Sequence, residues 1–274
     1  MSYEELQDAV EVVRERTGRP THTVAVVLGS GLGGYGAGLP GAVAVPYADL
    51  PGFPVPRIEG HGGTLYSAQP EGKPVLVLSG RVHAYEGWSL EKVVFAVRTA
   101  VLCGCRTVVL TNAAGGAGEG LATGDLVLIR DHLNLAGRNP LVGANDDRLG
   151  SRFPDMSAVY PAELRRLARE AAAHAGVELK EGVYAWFLGP SFETPSEVQM
   201  ALRLGAHLVG MSTVPEAIAV RHMGGQVLGI SLVTNLAAGI SPVPLSHEEV
   251  QQAGAAARGR FTALLDALLP ALAA

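Results

Sequence analysis

The sequence predicts an α/β protein with a largely parallel central sheet flanked by helices. Three observations lead there. Short apolar runs such as Thr23-Val-Ala-Val-Val-Leu28 recur along the chain, and runs of this kind read as strands buried on both faces. Helical patterns fall between several of them, as expected for parallel strands joined by crossover helices. The chain is 48% hydrophobic and 17% charged over 274 residues, which suits one α/β domain or two tightly fused ones, with ample length for a large core.

The elements follow in order. A helix over 3–17 carries Glu4, Glu5, Asp8, Glu11 and Arg14 on its polar side and leads to the strand at 23–28, closed by Gly29. Further strands are expected at 74–78, 107–111, 126–129, 182–188, 207–210 and 226–234. Helices are expected at 89–102, 161–175, 196–204, 215–223 and 246–269. The proline-rich stretch around Asp49 (Pro46, Pro51, Pro54, Pro56) reads as loop. Residues 138–160 form the longest stretch without clear periodicity, and long loops in compact domains are often functional or lie at subunit contacts.

Composition removes several classes of function. A net charge of −5 argues against a non-specific nucleic-acid surface, which would be basic. The only cysteines, Cys103 and Cys105, are too close in sequence for a good disulfide and too few for a structural zinc site, so they read as small core residues in a reducing compartment. The eight histidines are scattered, none at a metal-ligand spacing. The amino terminus is charged rather than apolar, and no apolar run approaches the ~20 residues that span a bilayer. A cytoplasmic protein without membrane, metal or nucleic-acid partners is expected.

In open α/β sheets, ligands bind beyond the carboxyl ends of the strands, and these ends are rich in glycine and polar residues here. Gly29-Ser-Gly-Leu-Gly-Gly34 can converge backbone N–H groups on an anion, with Ser30 adding a hydroxyl. It also fits G-x-G-x-x-G, with Asp49 at 20 residues from Gly29, but in a glycine-rich chain that match to a dinucleotide fingerprint is weak. In Ser79-Gly-Arg-Val-His-Ala-Tyr-Glu-Gly87, Arg81 and His83 alternate and point the same way on extended backbone, as phosphate ligands or as solvated surface groups. Asn112-Ala-Ala-Gly-Gly116 is either a tight turn or a wall against which a ligand can lie. Phe192 and Glu193 combine a ring for stacking with an acceptor for ring N–H groups, although Ser196 and Glu197 could make this segment a helix start. Met211 and Ser212 end a short strand, Asn235 ends another, and Ser246 to Glu249 has the Ser-x-x-Glu capping pattern that places His247 in a first helical turn.

These segments, in this order and spacing, resemble the trimeric purine nucleoside phosphorylases, in the family that also contains methylthioadenosine phosphorylase. The resemblance runs from Gly29 to the His247 helix and rests on the blocks GRVHAYEG, TNAAGG, GPSFETPSE, VGMSTVPE and SLVTNLAAG. It implies the nucleoside phosphorylase fold, a single α/β domain over 1–274 with a mixed, largely parallel central sheet flanked by helices, and a site assigned residue by residue. Ser30, His61, Arg81, His83, the Ala114 N–H and Ser212 match phosphate-binding positions. Tyr85, Met211 and His247 match ribose contacts, His247 at the 5′-hydroxyl. Phe192, Glu193 and Asn235 match base-binding positions, while Phe153 matches an aromatic that reaches a neighbouring subunit's ribose site, implying a homotrimer.

The implied activity is reversible phosphorolysis of 6-oxopurine nucleosides and deoxynucleosides such as inosine and guanosine, with inorganic phosphate as co-substrate and no cofactor. Asn235, Glu193, His83 and His247 are the expected catalytic group. Asn235 is also the residue favouring a 6-oxopurine, because the methylthioadenosine branch usually carries Asp there. The alternatives are methylthioadenosine phosphorylase, a non-catalytic nucleoside-binding module, and an NAD(P)-dependent oxidoreductase reading G-x-G-x-x-G literally.

Overall fold

Every residue of strand β1 (Val24–Leu28) is buried, as a run with no polar face requires. Its side chains divide by parity. Ala25 and Val27 enter one core with helices α1 (Tyr3–Thr17), α3 (Phe95–Leu102) and α6 (Val214–His222). Val24, Val26 and Leu28 enter the opposite core with α4 (Ala162–Ala175) and α7 (His247–Leu272). The short helices α2 (Leu90–Val93) and α5 (Pro195–Arg203) complete the helical set among the described residues. The computed structural model describes residues 1–29, 31–56, 62–241 and 243–273.

The other strands are β2 (Val43–Pro46), β3 (Thr64–Ala68), β4 (Val75–Ser79), β5 (Thr107–Gly116), β6 (Leu126–Asn134), β7 (Leu179–Trp186), β8 (Leu208–Gly210) and β9 (Gln226–Leu236). They form one sheet in the order β2-β3-β4-β1-β5-β8-β7-β6-β9. Strand β9 also pairs back on β5, so five strands close on themselves while β1 to β4 extend as a wing. The pairings of β1 with β4 and β5, and of β5 with β9, are parallel, whereas β2–β3, β3–β4, β5–β8 and β6–β9 are antiparallel. The mixed sheet between helices is the expected class. The β2–β3 hairpin was not expected, because it lies in sequence dominated by proline and glycine.

Strands β5, β6 and β9 run further than their apolar pattern. Strand β5 continues through Asn112-Ala-Ala-Gly-Gly116, residues with little strand preference of their own, because β9 and β8 pair with it on both sides. Along β5 and β9 the register slips: Ala114 faces Val233, but Gly115 faces Asn235. Thr234 is therefore an extra residue, a β-bulge, and both Thr234 and Asn235 line the same cavity. A regular strand would send neighbours to opposite faces.

Local signals set the helix ends. Ser2 and Glu5 form a capping box on α1, and Thr194 with Glu197 forms one on α5, where Pro195 takes the first position. The α5 cap is thus Thr194, two residues earlier than Ser196. Ser246 accepts from the Glu249 N–H and starts α7 at His247. The apolar face of α7 buries Phe261, Leu264, Leu265 and Leu268, each contributing about 2 kcal/mol by removal from water.

Candidate active site

The carboxyl ends of β1, β4, β5 and β9 converge on one cavity of about 390 Å³. Arg81, two residues beyond β4, is buried and forms its floor. Its Nη2 donates to the Thr111 carbonyl at 2.6 Å and the Val27 carbonyl at 3.4 Å, tying it to β5 and β1. Its Nη1 donates to Ser212 Oγ at 3.2 Å and lies 3.4 Å from Glu216 Oε2. Among the described residues its buried Nε has no hydrogen-bond partner, and Arg81, Ser212 and Ala114 all line the cavity. Ser30 and His61, also assigned to phosphate by resemblance, lie outside the described residues.

His83 is held by Glu86, whose Oε1 accepts from the His83 backbone N–H at 2.8 Å and lies 3.1 Å from Nδ1. That contact orients the ring, with Nδ1 turned toward the Glu86 carboxylate. The Tyr85 ring stacks on His83 at 4.8 Å between centroids, so phosphate and ribose candidates sit side by side.

Thr213 is the hub between Ser212 and Arg81. Its φ of 70° is unusual for a β-branched residue, and such conformations cost about 1–3 kcal/mol. Surrounding bonds hold it there: Asn112 Nδ2 donates to its Oγ1 at 2.9 Å, and its N–H donates to Glu216 Oε2 at 3.1 Å. The buried Tyr184 hydroxyl accepts from the Ser212 N–H at 3.3 Å. Gly210 makes room for that ring, since a Cβ there would fall 2.3 Å from the Tyr184 oxygen.

At the opposite end, Glu193 is only 7% exposed and its Oε1 has no partner among the described residues. Burial pushes its carboxyl above the usual range. Phe192 beside it is 38% exposed and lines the cavity. Asn235 faces them from β9. Thr234 Oγ1 donates to Asn235 Oδ1 at 3.1 Å, and Asn235 Nδ2 donates to the Leu236 carbonyl at 3.0 Å. The amide is thereby oriented with one N–H to spare. Met211 lines the wall between the two ends, and His247 with Val250 closes it from α7.

The cavity therefore collects Arg81, His83, Tyr85, Ala114, Phe192, Glu193, Met211, Ser212, Asn235 and His247, all singled out in the sequence. Phe153 is not among its lining residues. It stands 88% exposed on the irregular loop, with the Arg152 guanidinium 5.9 Å from its ring centre. Thr111, Tyr184, Thr213, Glu216, Glu86 and Thr234 were missed, because each acts by holding another site residue. Two had a signal: Glu86 lies three residues after His83, and Thr213-Val-Pro-Glu216 has a capping-box pattern that is realised at α6. Asp49 lies in a short 3₁₀ turn, 3.5 Å from Arg16, and does not line the cavity, so it has no role as a ribose acid.

A phosphorylase superfamily model matches residues 23–270, which span every strand and all of the cavity. The chain belongs to the phosphorylase superfamily. Among its phosphorylase relatives, the purine nucleoside phosphorylase of Mycobacterium leprae is 52% identical over 94% of this chain and 92% of its own length. Purine nucleoside phosphorylase 1 of Geobacillus stearothermophilus is 44% identical over 96% of both. The Schistosoma mansoni purine nucleoside phosphorylase solved with inosine superposes with a TM-score of 0.91, at 34% identity, over 98% of this chain and 96% of the other. No helix among the described residues is long and apolar enough to cross a membrane.

Proposed function

We propose that this phosphorylase cleaves 6-oxopurine nucleosides and deoxynucleosides such as inosine and guanosine with inorganic phosphate, reversibly, yielding the free base and (deoxy)ribose 1-phosphate. One observation carries the reading: the buried guanidinium of Arg81 beside Ser212 and the buried carboxyl of Glu193, whose Oε1 has no partner among the described residues, line one cavity. An anion with its nucleophilic oxygen fits the first, and a purine edge bearing N1–H fits the second. The ribose then lies between, against Met211 and Tyr85.

The barrier is departure of a purine anion from a ribosyl cation, so catalysis requires charge stabilisation at both ends. Phosphate held by Arg81, Ser212, His83, the Ala114 N–H and Ser30, with His61 adjoining, attacks C1′ from below the sugar. The C1′–N9 bond breaks as the new C1′–O bond forms, its electron pair passes to the purine, and C1′ is inverted. Asn235 Nδ2 donates to N7 as charge builds on the base, and Glu193 accepts from N1–H. Phe192 packs on the base, and His247 meets the 5′-hydroxyl. Removing one donor aimed at developing charge typically costs about 10²–10³ in rate. The chemistry asks for no cofactor or metal.

Phe153 completes the ribose site of a neighbouring subunit in a cytoplasmic homotrimer. Its ring is a large apolar surface that stands 88% exposed, which supports that role.

The test is base release from inosine, guanosine, adenosine and methylthioadenosine, each with and without phosphate. Release confined to inosine and guanosine, and only with phosphate, is expected. Release without phosphate would make the protein a hydrolase.

A further inference from the structure

Helix α7 reaches the cavity with its first residue, His247, and two turns later it meets the glycine loop of the anion site. Gly31 adopts left-handed backbone at φ 87°, and a Cβ on it would lie 2.9 Å from Gly254 Cα and 3.0 Å from the Gly254 carbonyl carbon. The contact is backbone against backbone. A glycine inside a helix costs about 1 kcal/mol relative to alanine, and Gly254, buried in mid-helix, stands at this close approach.

Two hydrogen bonds reinforce it. One turn beyond Gly254, Arg258 Nε donates to the Gly31 carbonyl at 2.8 Å. At the far end of the loop, the Tyr35 hydroxyl donates to Asp266 Oδ1 at 2.8 Å. The loop is thus fastened to the same helix that carries His247 and Val250 into the cavity wall. A helix is stiff over the roughly 10 Å between positions 247 and 254, so a shift at the Gly31 contact reaches His247.

We propose that Gly254 and Arg258 are positioning residues that lock the glycine loop to α7, so that anion binding at the loop and recognition of the nucleoside 5′-hydroxyl by His247 strengthen each other. The inference rests on the assignment of the loop to phosphate and of His247 to the 5′-hydroxyl. Neither residue touches substrate. Their effect is a coupling between two sites, which is reciprocal by thermodynamic necessity.

The experiment varies phosphate against inosine and against 5′-deoxyinosine, which lacks the group met by His247. In the unmodified enzyme, inosine is expected to lower the phosphate KM more than 5′-deoxyinosine does. Arg258→Gln, at an exposed position that folding tolerates, is expected to raise the phosphate KM roughly fivefold with inosine, as one lost hydrogen bond would. It should also erase most of the difference between the two nucleosides, with kcat at saturation little changed. Arg258→Lys, which keeps a donor, should recover part of the effect, and Gly254→Ala should reproduce it. An unchanged phosphate KM in Arg258→Gln, or an equal loss with both nucleosides, would overturn the coupling. An unmodified enzyme inert toward inosine and phosphate would instead overturn the proposed activity, and this inference with it.

Discussion

Arg81 and Glu216 face each other at 3.4 Å in the floor of the cavity, each with less than a tenth of its side chain exposed. The carboxylate balances the guanidinium while the same oxygen accepts the Thr213 N–H. Breaking a buried ion pair by removing one partner costs about 3–5 kcal/mol, because the other charge is left uncompensated. Glu216→Gln should therefore lower the thermal midpoint of the free enzyme. Added phosphate should raise that midpoint more in the variant than in the parent, since the bound anion replaces the missing charge. Equal phosphate shifts in the two proteins, read by thermal unfolding, would remove Arg81 as the anion's main partner.

Glu193 ties stability to pH with a definite sign. Burial raises its carboxyl in the folded chain, so the ionised form is disfavoured by folding. Its destabilising contribution is present at neutral pH and disappears as pH falls through the raised value. Glu193→Gln should raise the thermal midpoint at neutral pH. The same change should lower kcat/KM for inosine by about tenfold to a hundredfold, as loss of a charged acceptor does. Because only the carboxylate accepts from N1–H, the parent's kcat/KM should fall on the acid side above the ordinary carboxylate range, and Glu193→Gln should lack that limb.

In the proposed reading Asn235 meets the base with an amide already oriented by Thr234. Asn235→Asp replaces a donor with an acceptor and should raise the ratio of adenosine to inosine kcat/KM. An unchanged ratio would separate Asn235 from base choice.

Phe153 contributes nothing to its own chain's core, so Phe153→Ala should leave the stability of the isolated fold within about 0.5 kcal/mol. In the trimer it should raise the KM for inosine while phosphate KM stays level. Light scattering should give a particle of three chains. A monomer with full activity would exclude the shared site.

How much was legible depends on where the information resides. The apolar runs ending at Leu28 and in β4 declare themselves, because a strand buried on both faces needs no partner to define its pattern. The helix at 89–102 was expected as one piece, but it breaks at Val94 into α2 and α3. The second half of β5 is invisible locally, since alanine, glycine and asparagine become a strand only between β9 and β8. The site divides in the same way. Arg81, Glu193 and Asn235 stand out as polar residues just past apolar runs. Glu216 and Tyr184 do not, because their partners Arg81 and Ser212 reach them only through the assembled sheet. Phe153 shows as an exposed ring without showing what covers it.

The single extra residue at Thr234 gives base recognition something like a reading frame. Everything upstream on β9 pairs in phase with β5, and everything from Asn235 onward is displaced by one. Deleting Thr234 should restore the phase and remove the hydroxyl that orients the Asn235 amide, with the sheet, the anion floor and the helices intact. On the proposed reading, such a chain should still hold phosphate while discriminating less between purines. Discrimination would then be written in the count of residues along a strand as much as in their identity.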